Sequence, residues 1–272
     1  MKYISLLACL WLFIPAVNAQ DTLELRLGGG YGFAAGPQRL PDEVYDSELG
    51  TAKSARTSFG RGLHFNADAT WWINSVLGFT AGGSYLITTP AVKGRQETVG
   101  TEGGYSTYSN WHSHIAVAMA GIALKIPHTC LNPYVRMGVL LPVYSRVTED
   151  ADLSSNPLQG MNNTSYKKNF HLRNTAGYTA SAGIAPRLSK HVALFAEANF
   201  QSLSIQARRA TLTSFTSGGV EKIGSFNTNA RETVYVKNPG GYVYNPDTPN
   251  QKLIFRFPYS SIDARMGMSI KL

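Results

Sequence analysis

From residue 61 to 71 the chain alternates without a break. Leu63, Phe65, Ala67, Ala69 and Trp71 fall on one side, and Gly62, His64, Asn66, Asp68 and Thr70 on the other. A period of two belongs to an extended strand with one apolar and one polar face. The C-terminus repeats it, with Ile262, Ala264, Met266, Met268, Ile270 and Leu272 set against Asp263, Arg265, Gly267, Ser269 and Lys271. Near the start, Leu23, Leu25, Leu27, Tyr31 and Phe33 oppose Glu24, Arg26 and a run of glycines. The same reading gives 77–87, 111–123 (Ile115, Val117 and Met119 on the apolar face), 135–143, 176–184 and 192–200. These are eight segments of roughly 9–13 residues, the length that crosses a bilayer when tilted.

Composition removes the competing classes. Only 15% of the 272 residues are charged and 43% are hydrophobic, against about 25% charged in an average soluble domain. The aromatic content argues against disorder. Past the N-terminus no run of about 20 apolar residues is present to span as a helix. Residues 2–17 do form a short basic and apolar export segment, with small residues at Val17 and Ala19. The domain organisation expected is therefore a cleaved signal peptide over 1–19 and one barrel domain over 20–272. Cleavage removes Cys9 and leaves Cys130 alone, which is expected as a small packed residue rather than half of a disulfide.

The links between segments alternate in length. Those at 72–76, 125–131 and 186–191 are short, and those at 34–60, 88–110, 146–174 and 205–257 are long. A soluble sandwich keeps no such parity, whereas an up-and-down barrel has tight turns on the periplasmic rim and loops outside. The fold class expected is all-β: an eight-stranded antiparallel up-and-down transmembrane β-barrel with long extracellular loops, its C-terminus on the periplasmic side.

Particular stretches carry a resemblance: LELRLGGGYGF at 23–33, Asn132-Pro133-Tyr134 leading into VRMGV, LFAEANF at 194–200 and the closing SIDARMGMSIKL. The chain resembles the small outer-membrane barrels of Gram-negative bacteria, namely the OmpA transmembrane domain, OmpX and the OmpW-like, porin-like proteins. That resemblance covers nearly all of 23–272 and implies an outer-membrane location. It departs from the family in ending on Lys271-Leu272, where an aromatic residue is usual.

Eight strands enclose a space that side chains fill, so a wide channel is not expected. The polar faces supply a lumen charge network of Glu24, Arg26, His64, Asp68, His112, His114, Arg136, Glu197, Asp263 and Arg265. Arg26, Asp68, Arg136 and Glu197 read as one layer of two cations and two anions, because an isolated buried charge costs several kcal/mol. This plug is set against a narrow, gated ion path. His112 and His114 share a face, and with His64 across the lumen they would make a zinc-type ligand set; polar rim residues are the default reading, and no metal or other cofactor is expected. Ser113 falls on the face opposite those histidines, which argues against a serine hydrolase. Gly28-Gly29-Gly30 has no helix after it and reads as close packing rather than a dinucleotide loop. Trp71, Trp72 and Trp111, at strand ends, are expected in interfacial girdles.

The net charge of +8, one less after loss of Lys2, suggests an anionic envelope neighbour, and export argues against nucleic acid. The last loop holds Arg208, Arg209, Arg231, Tyr235, Lys237, Tyr242 and Tyr244, with Asn238-Pro239-Gly240-Gly241 as a turn between short strands at 233–237 and 242–244. Long loops on a rigid scaffold are where recognition resides. This basic, tyrosine-rich loop is the candidate contact for outer-membrane lipid and lipopolysaccharide, an extracellular glycan or a protein. The functional expectation is a non-enzymatic outer-membrane protein of envelope structure or surface binding. Its rivals are a small-solute channel and a lipid- or peptide-modifying enzyme.

Overall fold

The computed structural model describes residues 22–36, 38–46, 51–99, 103–127, 130–155, 163–173, 175–239 and 244–272. The export segment expected at 1–19 and Tyr242 lie outside them. In chain order the strands are β1 (Thr22–Ala34), β2 (Gln38–Asp46), β3 (Thr51–Thr57), β4 (Gly62–Trp72), β5 (Leu77–Thr88), β6 (Ala91–Val99), β7 (Gly103–Lys125), β8 (Pro133–Ser155) and β9 (Thr164–Arg173). They continue with β10 (Gly177–Ile184), β11 (Val192–Ser202), β12 (Ser204–Ser217), β13 (Val220–Glu221), β14 (Glu232–Val236), β15 (Asn250–Leu253), β16 (Arg256–Pro258) and β17 (Ser261–Lys271).

Eight of these close a barrel. Each pairs antiparallel with the next in the order β1, β4, β5, β7, β8, β10, β11 and β17, and β17 returns to β1 with Leu25 opposite Ile270 and Gly32 opposite Asp263. Alternation explains why these segments fold this way: the apolar face turns to lipid and the polar face to the interior. Leu27, Phe65, Trp71, Phe79, Met137, Leu141, Leu194 and Met266 are exposed on the wall, while Glu24, Asp68, Arg136, Glu197 and Asp263 are buried behind them. In water such a wall would be a large apolar liability; in a bilayer it is the solvated face. The fold is thus a transmembrane β-barrel of the outer-membrane type.

The strand β7 departs from the expected phase. Trp111, Ser113, Ile115 and Val117 point inward and are buried, whereas Ala118, Ala120 and Ile122 take the outer positions. The residues between Ile115 and Ala123 are apolar on both faces, so alternation there fixes no phase. The interior at this height is itself apolar, and that decides it. Only Trp71 of the three tryptophans faces lipid; Trp72 and Trp111 are buried inside. Cys130, expected to pack, is exposed on a short turn.

The long links are largely strand rather than irregular loop. The strands β7 and β8 each run for 23 residues, about 75 Å at 3.3 Å per residue and more than twice what a bilayer needs. Their outer halves carry β6 on one side and β9, β12, β14 and β15 on the other. The last link differs from the expected hairpin: β14 pairs in parallel with β15, Thr233 opposite Asn250, and Tyr244 lies in no strand.

Two glycines make room inside the barrel. A Cβ built on Gly28 would lie 2.5 Å from the Phe195 ring, and one on Gly267, its register partner, 2.8 Å from the same ring. Gly28→Ala is therefore expected to destabilise the barrel by about 1–3 kcal/mol through overpacking, read as a lower urea midpoint. Adding Phe195→Leu should recover part of the loss, because the same Cβ also lies 2.8 Å from the Met266 carbonyl oxygen. A Gly28→Ala barrel as stable as the parent would show that Phe195 is not locked in place.

Candidate functional site

The interior is organised in three levels, each set by inward positions on several strands. At the periplasmic end, Glu24 accepts from Arg26 Nε at 2.9 Å and from Trp72 Nε1 at 2.8 Å. The Arg26 guanidinium lies 4.2 Å over the ring of Tyr134, and Lys125 Nζ lies 3.6 Å over Trp72. Arg26 is the register partner of Asp68, but it turns to Glu24 on its own strand rather than joining the expected four-charge layer.

In the middle level Arg136 bridges two carboxylates, Nη1 to Asp68 Oδ1 at 2.6 Å and Nη2 to Glu197 Oε2 at 2.6 Å. Tyr134 donates to Glu197 at 2.9 Å. Arg265 supplies the second cation, 2.5 Å from Asp263 and 3.9 Å from Glu197. Asp263 is further held by Asn199 Nδ2 at 2.9 Å, Ser261 Oγ at 2.6 Å and His64 Nε2 at 3.3 Å. These charges are buried in a wall surrounded by lipid, so each must be compensated within the protein. Next to them the interior leaves a cavity of only about 20 Å³, lined by Asn66, Arg136, Ser181, Gln201 and Arg265 among others, room for about one water.

Above the charges sits an aromatic plug. At Leu203 and Tyr259, where β11 passes into β12 and β16 into β17, the Tyr259 N–H donates to the Leu203 carbonyl at 2.8 Å. Leu203, Ile205, Phe257 and Tyr259 are buried inside the outer mouth. Phe257 meets Phe59 at 5.5 Å, Phe170 at 5.3 Å, Trp111 at 5.8 Å and Phe255 at 4.8 Å between ring centres. Ser113 Oγ lies 2.5 Å from Tyr259 Oη within this cluster.

His112 and His114 are corrected from the expected lumen set. Both face away from the interior: His114 Nδ1 lies 3.3 Å from Tyr85 Oη on the outer wall, and His112 lies 3.9 Å from Asp150. They do not converge with His64, which is fully buried on the other side of the wall. Nor do they meet Ser113, whose hydroxyl is committed to Tyr259.

Outside the membrane, β9, β12, β14 and β16 build a basic sheet. Gln206 is the register partner of both Arg173 and Arg256. A bulge between Ala207 and Arg209 puts Arg208 on the surface as an extra residue. Arg209 is ion-paired with Glu232, and Tyr235 packs against Phe170 and Phe255 beneath the sheet instead of facing outward. Arg231 and Lys237 are exposed, and Tyr244 accepts from Asn227 Nδ2 at 2.7 Å. Arg173, Arg208 and Arg256 are exposed and make no ion pair among the described residues. Arg256 belongs to the basic last loop that the sequence marks out, whereas Arg173 escapes a reading of the sequence because only the pairing of distant strands brings the two into one row.

No family model matches the chain, and no curated protein matches it. Solved structures resembling it are bacterial outer-membrane proteins. OprG from Pseudomonas aeruginosa is 9% identical with a TM-score of 0.47, over 93% of this chain and 96% of that one. Ail of Yersinia pestis, in complex with the heparin analogue sucrose octasulfate, is 11% identical with a TM-score of 0.32, over 93% and 100%. The outer membrane protease OmpT from Escherichia coli is 7% identical with a TM-score of 0.33, over 96% and 99%. The fold of this chain is a closed eight-stranded β-barrel of the outer-membrane type.

Proposed function

We infer that the chain is a non-conducting, non-catalytic outer-membrane barrel that displays a basic sheet outside the cell and binds anionic saccharide there. The observation that carries this reading is the contrast between its two ends. The lumen is filled by an ion-pair level and an aromatic plug, while Arg173, Arg208 and Arg256 stand exposed and without ion pairs among the described residues on a sheet carried by the outer half of β8. Arginine forks suit sulfate, phosphate and carboxylate groups.

The test joins two measurements on the refolded protein. A planar bilayer should stay silent, and steady ion-selective openings would move the reading to a channel. Binding of lipopolysaccharide core saccharide or a sulfated glycan should weaken with salt, as charge-driven contacts do. The triple variant Arg173→Gln, Arg208→Gln and Arg256→Gln should lose at least about tenfold in affinity, the equivalent of 1.4 kcal/mol. Equal binding by the triple variant would remove this sheet as the contact surface.

A further inference from the structure

The periplasmic floor of the barrel has more cation than its own carboxylates use. Arg26, Lys125, Arg187 and Lys271 line one small pocket, and Glu24 is the only carboxylate side chain among its lining residues. Both oxygens of Glu24 are taken, one by Arg26 Nε and one by Trp72 Nε1. Two residues that line the pocket carry donors with nothing to bond among the described residues. Arg26 Nη1 and Ser269 Oγ are fully buried and have no partner among the described residues, although the two residues are 3% and 1% exposed. They are also register partners on β1 and β17, and both residues line this one pocket. A buried donor left unmade costs about 1–3 kcal/mol, more when it is charged.

The pocket is built to keep this arrangement. Tyr134 stacks under the Arg26 guanidinium and Glu24 fixes its Nε, so the group is held in one orientation with Nη1 buried. Ala193, the register partner of Ser269 on β11, and Ala185 are small enough to leave room there. The interior of the pocket is about 20 Å³, space for one oxygen atom. Lys271 is half-buried at its mouth and Arg187 is exposed there. A water would satisfy two donors but would leave the cation excess in place; an oxyanion answers both.

We propose that this floor binds a phosphate group, one oxygen seated between Arg26 Nη1 and Ser269 Oγ and the others held at the mouth by Lys125, Arg187 and Lys271. The site faces the periplasm, where the group belongs either to free phosphate or to an inner-leaflet phospholipid headgroup, and it is separate from the outer basic sheet.

The experiment uses the refolded barrel in uncharged detergent. Inorganic phosphate is titrated against chloride at constant ionic strength, with thermal unfolding and phosphorus-31 line broadening as readouts. Saturable, phosphate-specific protection identifies a site for the free ion. Protection that needs phosphatidylglycerol in the micelle, and is missing with phosphatidylcholine, identifies the headgroup. In either case Arg187→Gln with Lys271→Gln, both at the rim and outside the buried contacts, should weaken the effect at least tenfold. Arg26→Gln should abolish it; if that variant does not fold, Ser269→Ala replaces it and should weaken binding severalfold. No specific effect of phosphate or of phosphatidylglycerol overturns the proposal and leaves a bound water in the pocket.

Discussion

Replacing Arg136 with methionine is expected to destabilise the barrel by about 3–5 kcal/mol. The size follows from what the substitution leaves behind. Asp68 loses the guanidinium 2.6 Å away, and Glu197 loses its closest cation, with only Tyr134 and the more distant Arg265 remaining. Two carboxylates then stand in a lipid-surrounded interior with their compensation reduced. Urea unfolding followed by heat-modifiable gel mobility measures the loss. Combining Arg136→Met with Asp68→Asn and Glu197→Gln should restore most of it, because the penalty belongs to unpaired charge and not to the missing side chain. A single variant within 1 kcal/mol of the parent, the span of an exposed ion pair, would show that water reaches this level freely.

Phe257→Ala should be of similar size, about 3–5 kcal/mol for a buried phenylalanine. Phe257 is fully buried and touches rings from the turn before β4 and from β7 and β9, besides its own neighbour Phe255. Removing it opens a cavity between segments far apart in sequence, which cannot close by local adjustment. The same variant separates stability from conduction. The Arg136 level remains beneath the plug, so the lumen should stay silent in a bilayer despite the loss of stability. Openings should need both levels broken at once. Conductance from Phe257→Ala alone would locate the barrier in the plug and not in the charges.

Most of the wall was legible because five of the eight barrel strands carry a charged phase marker and β5 and β10 alternate cleanly without one. Glu24 and Arg26 mark the inner face of β1, Asp68 that of β4, Arg136 that of β8, Glu197 that of β11, and Asp263 and Arg265 that of β17. The strand β7 has no such marker in its membrane half, and His112 and His114 suggested the wrong one. Their outward placement follows from an apolar plug above the charges, and the plug depends on how β12 pairs with β9 and β16, segments distant in sequence. Asn66 and Asn199 were within reach, since they lie on inner positions beside the charged residues. Arg187 was not, because it lies in a turn whose position relative to β17 is fixed only by closure. The parallel pairing of β14 with β15 was hidden for a different reason: Asn238-Pro239-Gly240-Gly241 advertises a hairpin between neighbours, and the partner strand comes later in the chain.

The seam between β1 and β17 also says something about how the molecule reaches this state. The last strand brings Asp263 to His64 and Asn199, Arg265 to Glu197, and Ser269 to Arg26. Before it docks, a seven-stranded sheet carries open edges and interior charges whose partners are still missing, a costly state in hydrocarbon. Zipping the seam resolves both deficits together. Insertion and completion of the charge pairs are thereby one cooperative event, and the C-terminal strand serves as its latch.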